Sequence, residues 1–298
     1  MKIIMNTPVK ENCCNTLRRR FHPFLVLILV SFINPVCTQS FNFISWNIKD
    51  FGQSRSDQEI HDIAHLLRNA DLIAIQEVVA KHPGGAQAVA RLTEELRRMG
   101  AEWDYRVSDP TKSPSPYISE RYAYIWKPSK VKLIGRPRLL NEVDDLVHRE
   151  PYVAKFRVGV HEFFLLNYHS RTHDVKESEE IEVKAISDWV IAQGLENNFI
   201  WAGDFNLRET HPAFLKILTS GFEALVQGQP TTLKSACRNG EYHSLAEDNV
   251  YIISKALKCE SVNVIDFIGP ENCEDVRWKR NSISDHLPIC IKFNYGKD

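Results

Sequence analysis

The sequence predicts an α/β fold in which two mixed β-sheets pack face to face and carry helices on their outer surfaces. Short alternating or apolar segments typical of strands recur after residue 40, as at Phe41–Trp46 and Asp71–Ile75. Segments with apolar residues at helical spacing lie between them, and the first follows the capping box Ser56-Asp57-Gln58-Glu59. Neighbouring strand segments at 152–158 and 162–168 indicate a hairpin, so antiparallel pairs are expected beside parallel ones.

Helical spacing predicts four helices in order along the chain. The first follows the capping box, the second lies between Gly84 and Gly100, and the third runs from about Ile181 until Gly194 ends it. A short fourth helix begins near Pro212. Strands are expected at 41–46, 71–75, 122–126, 131–133, 152–158, 162–168, 199–202, 249–253, 262–265 and 289–293. The segment 131–133 is expected to be the hairpin partner of 122–126.

Residues 1–38 are expected to be a secretory signal peptide that precedes one domain at 40–298. Arg18-Arg19-Arg20 comes before the apolar run Phe24–Val30, and small residues follow near Thr38, which is the order of a signal. The apolar run is shorter than the roughly 20 residues that span a bilayer. A signal anchor and a lipoprotein signal at Cys37 are the alternatives. The domain is therefore expected to be secreted or periplasmic, without a stable membrane anchor after cleavage.

The charge balance excludes a protein that binds nucleic acid through a broad basic field. The formal net charge is -1, and the predicted signal removes five cations but only one anion. The mature chain is then mildly acidic. A polyanionic substrate would have to be held locally, by a few Arg and Lys side chains and by metal.

Four of the seven cysteines lie after the predicted signal: Cys237, Cys259, Cys273 and Cys290. In an oxidising compartment such cysteines form disulfides. Cys259 and Cys273 are one candidate pair, although the sequence leaves the connectivity open.

Several predicted strands end in residue types that bind metal ions or transfer protons. Asp204 and Asn206 follow one strand, and alternate residues of an extended segment face the same way, so both can reach one site. Alone, this pair would fit an Asx turn. The other strand ends carry Asn47, Glu77, His169, and Asp285 with His286. Because strand ends lie along one rim of a sheet, five such ends favour a divalent-metal site that acts on phosphate.

Four motifs resemble, in order, those of the endonuclease/exonuclease/phosphatase superfamily: Trp46-Asn47-Ile48, Gln76-Glu77-Val78, Gly203-Asp204-Phe205-Asn206 and Ser284-Asp285-His286. Two further segments, Ser119-Glu120-Arg121-Tyr122 and Arg149–Phe156, resemble the deoxyribonuclease I branch. The resemblance runs from about Phe41 to Phe293. It implies a four-layer α/β sandwich and the hydrolysis of a phosphodiester bond.

The resemblance also implies the metal ligands. Glu77 would be the main ligand of Mg²⁺ or Mn²⁺, with Asp285 and Asn47 nearby. Asp204 and Asn206 would orient the attacking water or complete a second metal position. Ca²⁺ is a candidate structural ion. The metal would neutralise the scissile phosphate and stabilise charge in the transition state.

Two histidines with carboxylate partners match the family's acid–base residues. His169 would pair with Glu120, and His286 with Asp248, although an aromatic residue usually precedes that Asp in the family and here it is Glu247. A carboxylate fixes the tautomer of an imidazole and raises its pKa, as acid–base work near neutral pH requires. The sequence assigns neither histidine as the sole acid or base.

Contacts to the substrate depart from the family pattern. Arg149 would contact the phosphate, and Tyr117 is the candidate for an aromatic contact, with a spacing one residue longer than in the family. Val79 stands where deoxyribonuclease I has an arginine that enters the DNA minor groove. Leu207-Arg208-Glu209 lacks the cysteine expected there. These differences weaken the inference of a DNA substrate and leave the catalytic inference unchanged.

The sequence therefore predicts a secreted, Mg²⁺-dependent endonuclease that hydrolyses DNA with little base specificity and has no evident protein partner. A sphingomyelinase-like phosphodiesterase and a nuclease toxin subunit are the alternatives within the superfamily. Trp278, in a basic stretch, is the one candidate for a membrane-contacting aromatic residue. A non-catalytic binding protein is the third alternative, and it should have lost a residue of the site.

Overall fold

The computed structural model describes residues 39–81, 83–113, 118–143, 145–171 and 178–296. The predicted signal peptide and Tyr117 lie outside these ranges, so both stay predictions. In chain order the strands are β1 Gln39–Phe51, β2 Leu72–Val79, β3 Asp104–Val107, β4 Glu120–Trp126, β5 Lys132–Leu139, β6 Tyr152–Val158, β7 His161–His169, β8 Phe199–Asp204, β9 Glu223–Ala224, β10 Leu233–Arg238, β11 Glu241–His243, β12 Asp248–Ile253, β13 Leu257–Val264 and β14 Ile289–Tyr295.

These strands form two mixed six-stranded sheets and one two-stranded ribbon. The first sheet has the order β13-β14-β1-β2-β4-β3, and β1–β2 is its parallel pair. The second has the order β5-β6-β7-β8-β12-β9, and β7–β8 is its parallel pair. The ribbon consists of β10 and β11.

Five α-helices occur in the described residues: α1 Asp57–Leu67, α2 Gly84–Arg98, α3 Ser178–Ala192, α4 Leu215–Thr219 and α5 Val276–Ser282. The capping box of α1 is confirmed, since Ser56 Oγ accepts from the backbone N–H of Glu59 and Glu59 Oε2 accepts from that of Ser56. Gly85 allows α2 to begin against β2, because a Cβ there would lie 2.1 Å from the Val79 carbonyl oxygen. No helix among the described residues has the length and apolar content needed to cross a bilayer.

Three hydrophobic clusters separate four layers. The central cluster fills the space between the sheets with side chains from both, and Phe41 of β1 stacks on Phe163 of β7 with ring centroids 5.8 Å apart. A second cluster packs α1 and α2 on the first sheet, and a third packs α3 and α4 on the second. The predicted sandwich of two sheets flanked by helices is confirmed.

One predicted strand pair is wrong. The segment beginning at Lys132 does not form a hairpin with β4, which pairs with β2 and β3. It is β5, which pairs with β6 in the other sheet. The backbone N–H of Val131 donates to the Lys127 carbonyl in the short connection, and Val131 is buried in the central cluster. The turn therefore carries the chain across the core from one sheet to the other.

The disulfide also differs from the candidate pair. Cys237 in β10 is bonded to Cys273, with 5.6 Å between the Cα atoms, and this bond ties the ribbon to the turn before α5. The pairing of Cys259 with Cys273 is wrong. Cys259 is free because β13 places it opposite Phe293 of β14, at an exposed position.

Candidate active site

The topology brings the predicted site residues to one edge of the sandwich. Asn47 and Glu77 lie near the ends of parallel strands β1 and β2, and His169 and Asp204 end the parallel strands β7 and β8. The antiparallel strands β4 and β12 begin at the same edge. Their first residues are Glu120, opposite Val79, and Asp248, opposite Asp204.

The carboxylate of Asp204 lies at the centre of this edge and is buried. Its Oδ2 accepts a hydrogen bond from Asn47 Nδ2 at 3.0 Å, with Nε2 of His169 at 3.5 Å and Nε2 of His286 at 3.6 Å. Its Oδ1 accepts from the backbone N–H of Asn206 at 3.0 Å. One oxygen therefore faces two imidazoles and an amide that come from three different parts of the chain.

Glycine before Asp204 makes this approach feasible. Gly203 has φ of +145°, and a Cβ there would lie 1.8 Å from the Tyr168 carbonyl oxygen. Any larger residue would push β8 away from β7. The glycine in the motif thus sets the distance between Asp204 and His169.

Each imidazole is held by a second carboxylate. Nδ1 of His169 lies 3.0 and 2.9 Å from the two oxygens of Glu120. Nδ1 of His286 lies 2.8 Å from Oδ2 of Asp248, which also accepts from Thr231 Oγ1 at 2.7 Å. Both Nδ1 atoms therefore donate to carboxylates, and both Nε2 atoms are left facing Asp204.

The charges in this cluster shift its pKa values. Burial acts to lower the pKa of each imidazole, but the attraction of Glu120 raises that of His169, and Asp248 with Asp204 holds that of His286 well above its usual range. Burial acts to raise the pKa of Asp204, and the two histidines outweigh it. Its pKa is therefore below the usual range, so Asp204 is anionic near neutral pH.

Asn47 and Glu77 have the features of a metal site. Asn47 Nδ2 donates to Glu77 Oε1 at 3.0 Å, while Asn47 Oδ1 is buried and finds no hydrogen-bond partner among the described residues. Glu77 has φ of 60°, within the irregular register of β2 against β1 and β4, and its Oε2 accepts from the backbone N–H of Asp50. A left-handed non-glycine residue at a functional edge is strained. An unpartnered amide oxygen beside a carboxylate fits a hard divalent cation.

Asp285, the third predicted metal ligand, has cationic partners. Its Oδ2 lies 2.9 Å from Arg280 Nη2 and 3.4 Å from Lys49 Nζ. Lys49 lies at the same edge, because Ser284 Oγ accepts from its backbone N–H and donates to the Asn47 carbonyl. The structure therefore places Asp285 at the edge without bonding it to Glu77, and its metal role stays a prediction.

A second grouping of ligand atoms occurs beside the first. One atom each from Asp204, Asp248 and His286 lies within 4.8 Å of the others, close enough for one cation. However, Asp248 Oδ2 already accepts hydrogen bonds from Thr231 and His286. In this grouping a hydrogen-bonded oxygen would have to be a ligand, whereas Asn47 Oδ1 has no hydrogen-bond partner among the described residues.

Arg149 lies next to the first histidine pair. Its Nη1 donates to the Ser170 carbonyl at 2.9 Å, and its Nε lies 3.6 Å from Glu120 Oε2. Burial acts to lower its pKa, but Glu120 keeps that pKa above the usual range. An open cleft of about 340 Å³ adjoins it, with Val79 and Ile118 as its apolar wall. The cation is thus positioned where a phosphate could enter.

The sequence did not indicate a buried network behind the site. Glu182 of α3 accepts from the hydroxyl of Tyr168 at 2.6 Å and from the backbone N–H of His148 at 2.9 Å, and its Oε1 lies 2.9 Å from Nδ1 of the same histidine. Tyr168 precedes His169 and His148 precedes Arg149. Glu182 therefore fixes the residues before two predicted site residues. A glutamate within a helical segment gives no local signal of such burial.

Comparison with known proteins agrees with this geometry. The profile of the Endonuclease/Exonuclease/phosphatase family matches residues 44–270. A protein named deoxyribonuclease from Thioalkalivibrio sp. (strain K90mix) is 27% identical over 283 residues, which cover 90% of this chain and 74% of that protein. Deoxyribonuclease-1-like 1 of Cricetulus griseus is 24% identical over 288 residues, which cover 92% of this chain and 90% of that protein. The resemblance to the deoxyribonuclease I branch is confirmed.

Solved structures share the fold. D. rerio TDP2 in complex with a single-strand DNA product has a TM-score of 0.61 at 15% identity and covers 86% of this chain and 99% of its own. A mannosyl-6-phosphatase from Bacteroides thetaiotaomicron VPI-5482 has a TM-score of 0.60 at 15% identity, and the match covers 85% of this chain and 99% of that one. The family profile matches most of the folded chain, so this protein belongs to the endonuclease/exonuclease/phosphatase family, a divalent-metal-dependent superfamily of nuclease-like phosphodiesterases.

Proposed function

We propose that this protein is a secreted, metal-dependent endonuclease that hydrolyses DNA phosphodiester bonds with little base specificity. The observation that carries the proposal is the arrangement around Asp204 Oδ2, which faces Nε2 of both His169 and His286. Two imidazoles, each held by a carboxylate and directed at one acceptor, can exchange protons with a reacting group between them. Relatives named deoxyribonuclease support DNA as the substrate.

The residues divide the work of hydrolysis. A bound Mg²⁺ or Mn²⁺ would neutralise charge on the phosphate, and Asn47 Oδ1 with Glu77 would hold it. Asp204 Oδ2, anionic at neutral pH, would accept a hydrogen bond from the attacking water and orient it. One imidazole would receive the proton of the attacking water at its Nε2. The other would supply a proton to the leaving oxygen.

The His–carboxylate pairs set the two proton states. Glu120 and Asp248 hold a proton on each Nδ1, so that Nε2 is the atom that changes its protonation. Arg149 would attract a phosphate oxygen and, through its ion pair with Glu120, tie that contact to His169. A repeated phosphate backbone is held in the same way whatever the base, which agrees with low base specificity.

Plasmid nicking tests the proposal. Wild-type protein in Mg²⁺ should relax supercoiled DNA, and EDTA should stop it. His169→Ala and His286→Ala should each lower the rate by about 10²- to 10⁴-fold, the range for a lost general acid or base. His161→Ala is the matched control, because His161 lies at the far end of β7 and its ring nitrogen contacts the Gly296 carbonyl. It should keep the wild-type rate.

The outcomes separate the alternatives. Hydrolysis of sphingomyelin with plasmid left intact would replace the nuclease proposal with a lipid phosphodiesterase. No hydrolysis of either substrate would favour a binding protein, although Glu77, His169, Asp204 and His286 are all present and close together. Secretion is tested separately, by expression with residues 1–38 and N-terminal sequencing of the exported protein. An uncleaved, cell-retained chain would contradict it.

A further inference from the structure

An exposed tryptophan lies on α5, the helix whose Arg280 pairs with Asp285 of the candidate site. The exposed fraction of Trp278 is 60%, and it is the one aromatic side chain among the exposed large hydrophobic residues of the described chain. Trp46, Trp103, Trp126 and Trp201 are buried. A solvent-exposed indole has a large apolar surface, so burying that surface against a flat binding partner is favourable.

The helix places this indole on a surface that leads to the metal-site carboxylate. Asn281 is three residues after Trp278, so the two lie on neighbouring parts of one helical face. Asn281 lines an open cleft of about 310 Å³ together with Lys49 and Asp50. The backbone N–H of Asp50 donates to Glu77 Oε2. The cleft therefore joins the surroundings of Glu77 to Asn281, on the helix that carries Trp278.

Buried bonds hold α5 against the site. Arg55 is buried and its Nη1 donates to the Ser282 carbonyl at 2.7 Å and to that of Asn281 at 3.4 Å. Lys279 Nζ donates to the Phe267 carbonyl at 2.7 Å. The disulfide at Cys273 fixes the chain three residues before the helix. Trp278 is thus an exposed ring on a fixed support, which lowers the entropy cost of binding through it.

We propose that Trp278 stacks on an unpaired base of the nucleic-acid substrate, with Arg277 contacting the adjoining phosphate. This inference rests on the proposed function, because it names the part of the substrate that α5 binds. Arg277 is exposed and forms no ion pair with the other residues that the structure describes. Stacking of a base on an aromatic ring tolerates any base, in agreement with low base specificity.

A lipid surface is the alternative partner for an exposed tryptophan. An interfacial helix needs a continuous apolar face opposite its cations. α5 has seven residues and one exposed aromatic side chain; of its cations, Lys279 and Arg280 contact Phe267 and Asp285, and Arg277 next to Trp278 is exposed. This composition favours a nucleic-acid strand over a membrane.

Binding to labelled DNA tests the proposal without catalysis. The His169→Ala protein in Mg²⁺ is titrated into a fluorescein-labelled single-stranded oligonucleotide and its duplex, and anisotropy gives the Kd. Adding Trp278→Ala should weaken single-strand binding by about 5- to 30-fold and duplex binding less, as expected for one lost stacked base. Trp278→Phe should restore most of the affinity. Leu215→Ala is the matched control, since Leu215 is similarly exposed but lies on α4, which packs on the second sheet.

A spectroscopic measurement distinguishes contact from an indirect effect. Trp278 is the tryptophan most open to acrylamide, so the oligonucleotide should protect it from quenching, and this protection should vanish in Trp278→Phe. If wild-type protein cuts DNA but Trp278→Ala binds the single strand as tightly as its parent, the inference is overturned. It is also overturned if vesicles of phosphatidylcholine and phosphatidylglycerol protect Trp278 and DNA does not. Failure of the wild type to bind or cut DNA would instead overturn the proposed function.

Discussion

Replacing Asp248 by asparagine tests the second His–carboxylate pair. The amide keeps the shape of the side chain and can still accept from Thr231, but it removes the charge 2.8 Å from His286 Nδ1. Asp248 is the strongest of the groups that raise the pKa of His286 against the effect of burial. The Asp248→Asn imidazole should therefore lose its proton at a lower pH and hold its tautomer less firmly.

The expected loss follows from the role of the imidazole. A general acid or base contributes about 10²- to 10⁴-fold, and Asp248→Asn leaves the ring in place. We expect kcat/KM for plasmid relaxation to fall by about 10²- to 10³-fold, which is about 2.7 to 4 kcal/mol of transition-state stabilisation. The loss should appear mainly in kcat, because Asp248 contacts His286 and not the substrate.

Asp248→Asn should also change how the stability of the metal-free protein depends on pH. The folded-state pKa of His286 is raised, so its stabilising contribution is complete below the unfolded-state pKa of about 6.5 and disappears as the pH rises through the folded-state value. Asp248→Asn should therefore lower the Tm in EDTA at pH 6 more than it does at high pH. An NMR titration of the imidazole should show the lowered pKa directly.

Asp266→Asn is the matched control, since Asp266 also lies near a histidine, 3.5 Å from His243 Nε2, but outside the site. It should leave nicking unchanged. If Asp248→Asn cuts plasmid within threefold of the wild-type rate, or if its imidazole keeps the wild-type pKa, the assignment of Asp248 as the partner of His286 is refuted.

Three further substitutions test the support of the site. Glu182→Gln should lower the free energy of unfolding by about 1–3 kcal/mol in a urea titration, because the buried carboxylate accepts hydrogen bonds from Tyr168 and His148. Glu180→Gln is the control, since Glu180 pairs with Lys184 at the surface, and an equal effect there would contradict the prediction. Gly203→Ala should lower the free energy of unfolding by more than about 3 kcal/mol or prevent folding, since its Cβ would collide with the Tyr168 carbonyl. A Cβ at Gly296 meets open space, so Gly296→Ala should leave the Tm unchanged. Cys237→Ser should lower the free energy of unfolding by about 3–4 kcal/mol, because it opens a loop whose ends are separated by 36 in sequence. Reductant should lower the Tm of the wild type but not that of the variant.

The layers of the fold could be predicted from local patterns, whereas strand partners could not. Alternating residues in β1 and the capping box of α1 are local signals, and both elements form as expected. The partner of β5 depends on where the chain turns after Lys127, and a short connection looks the same for a hairpin and for a crossing between sheets. The ribbon and α5 are held by the disulfide at Cys273, which no local pattern indicates.

The candidate site shows the same division between local and distant information. Strand ends identified Asn47, His169 and Asp204, because parallel neighbours end at one edge. Asp248 was identified only through the resemblance, and its register opposite Asp204 gives it a place beside His286. Its catalytic role stays a prediction, as do those of the other site residues.

Pairings of charge could not be read from the sequence. Asp285 follows a motif serine and was expected near Glu77, yet its carboxylate forms ion pairs with Lys49 and Arg280. These cations come from β1 and α5, far apart in the chain. A motif specifies which residue types reach an edge, whereas the partners of each charge depend on elements that the motif does not include.

Substrate choice must depend on residues around the site and not on Asp204 itself. Two solved neighbours have nearly equal TM-scores, 0.61 and 0.60, yet one holds a single-strand DNA product and the other is a mannosyl-6-phosphatase. Fold similarity therefore does not select the substrate. In this chain we expect Arg149, the apolar wall at Val79 and Ile118, and Trp278 to be the groups that do so. Histidine variants consequently test the chemistry, whereas Trp278 variants test a contact to the substrate strand.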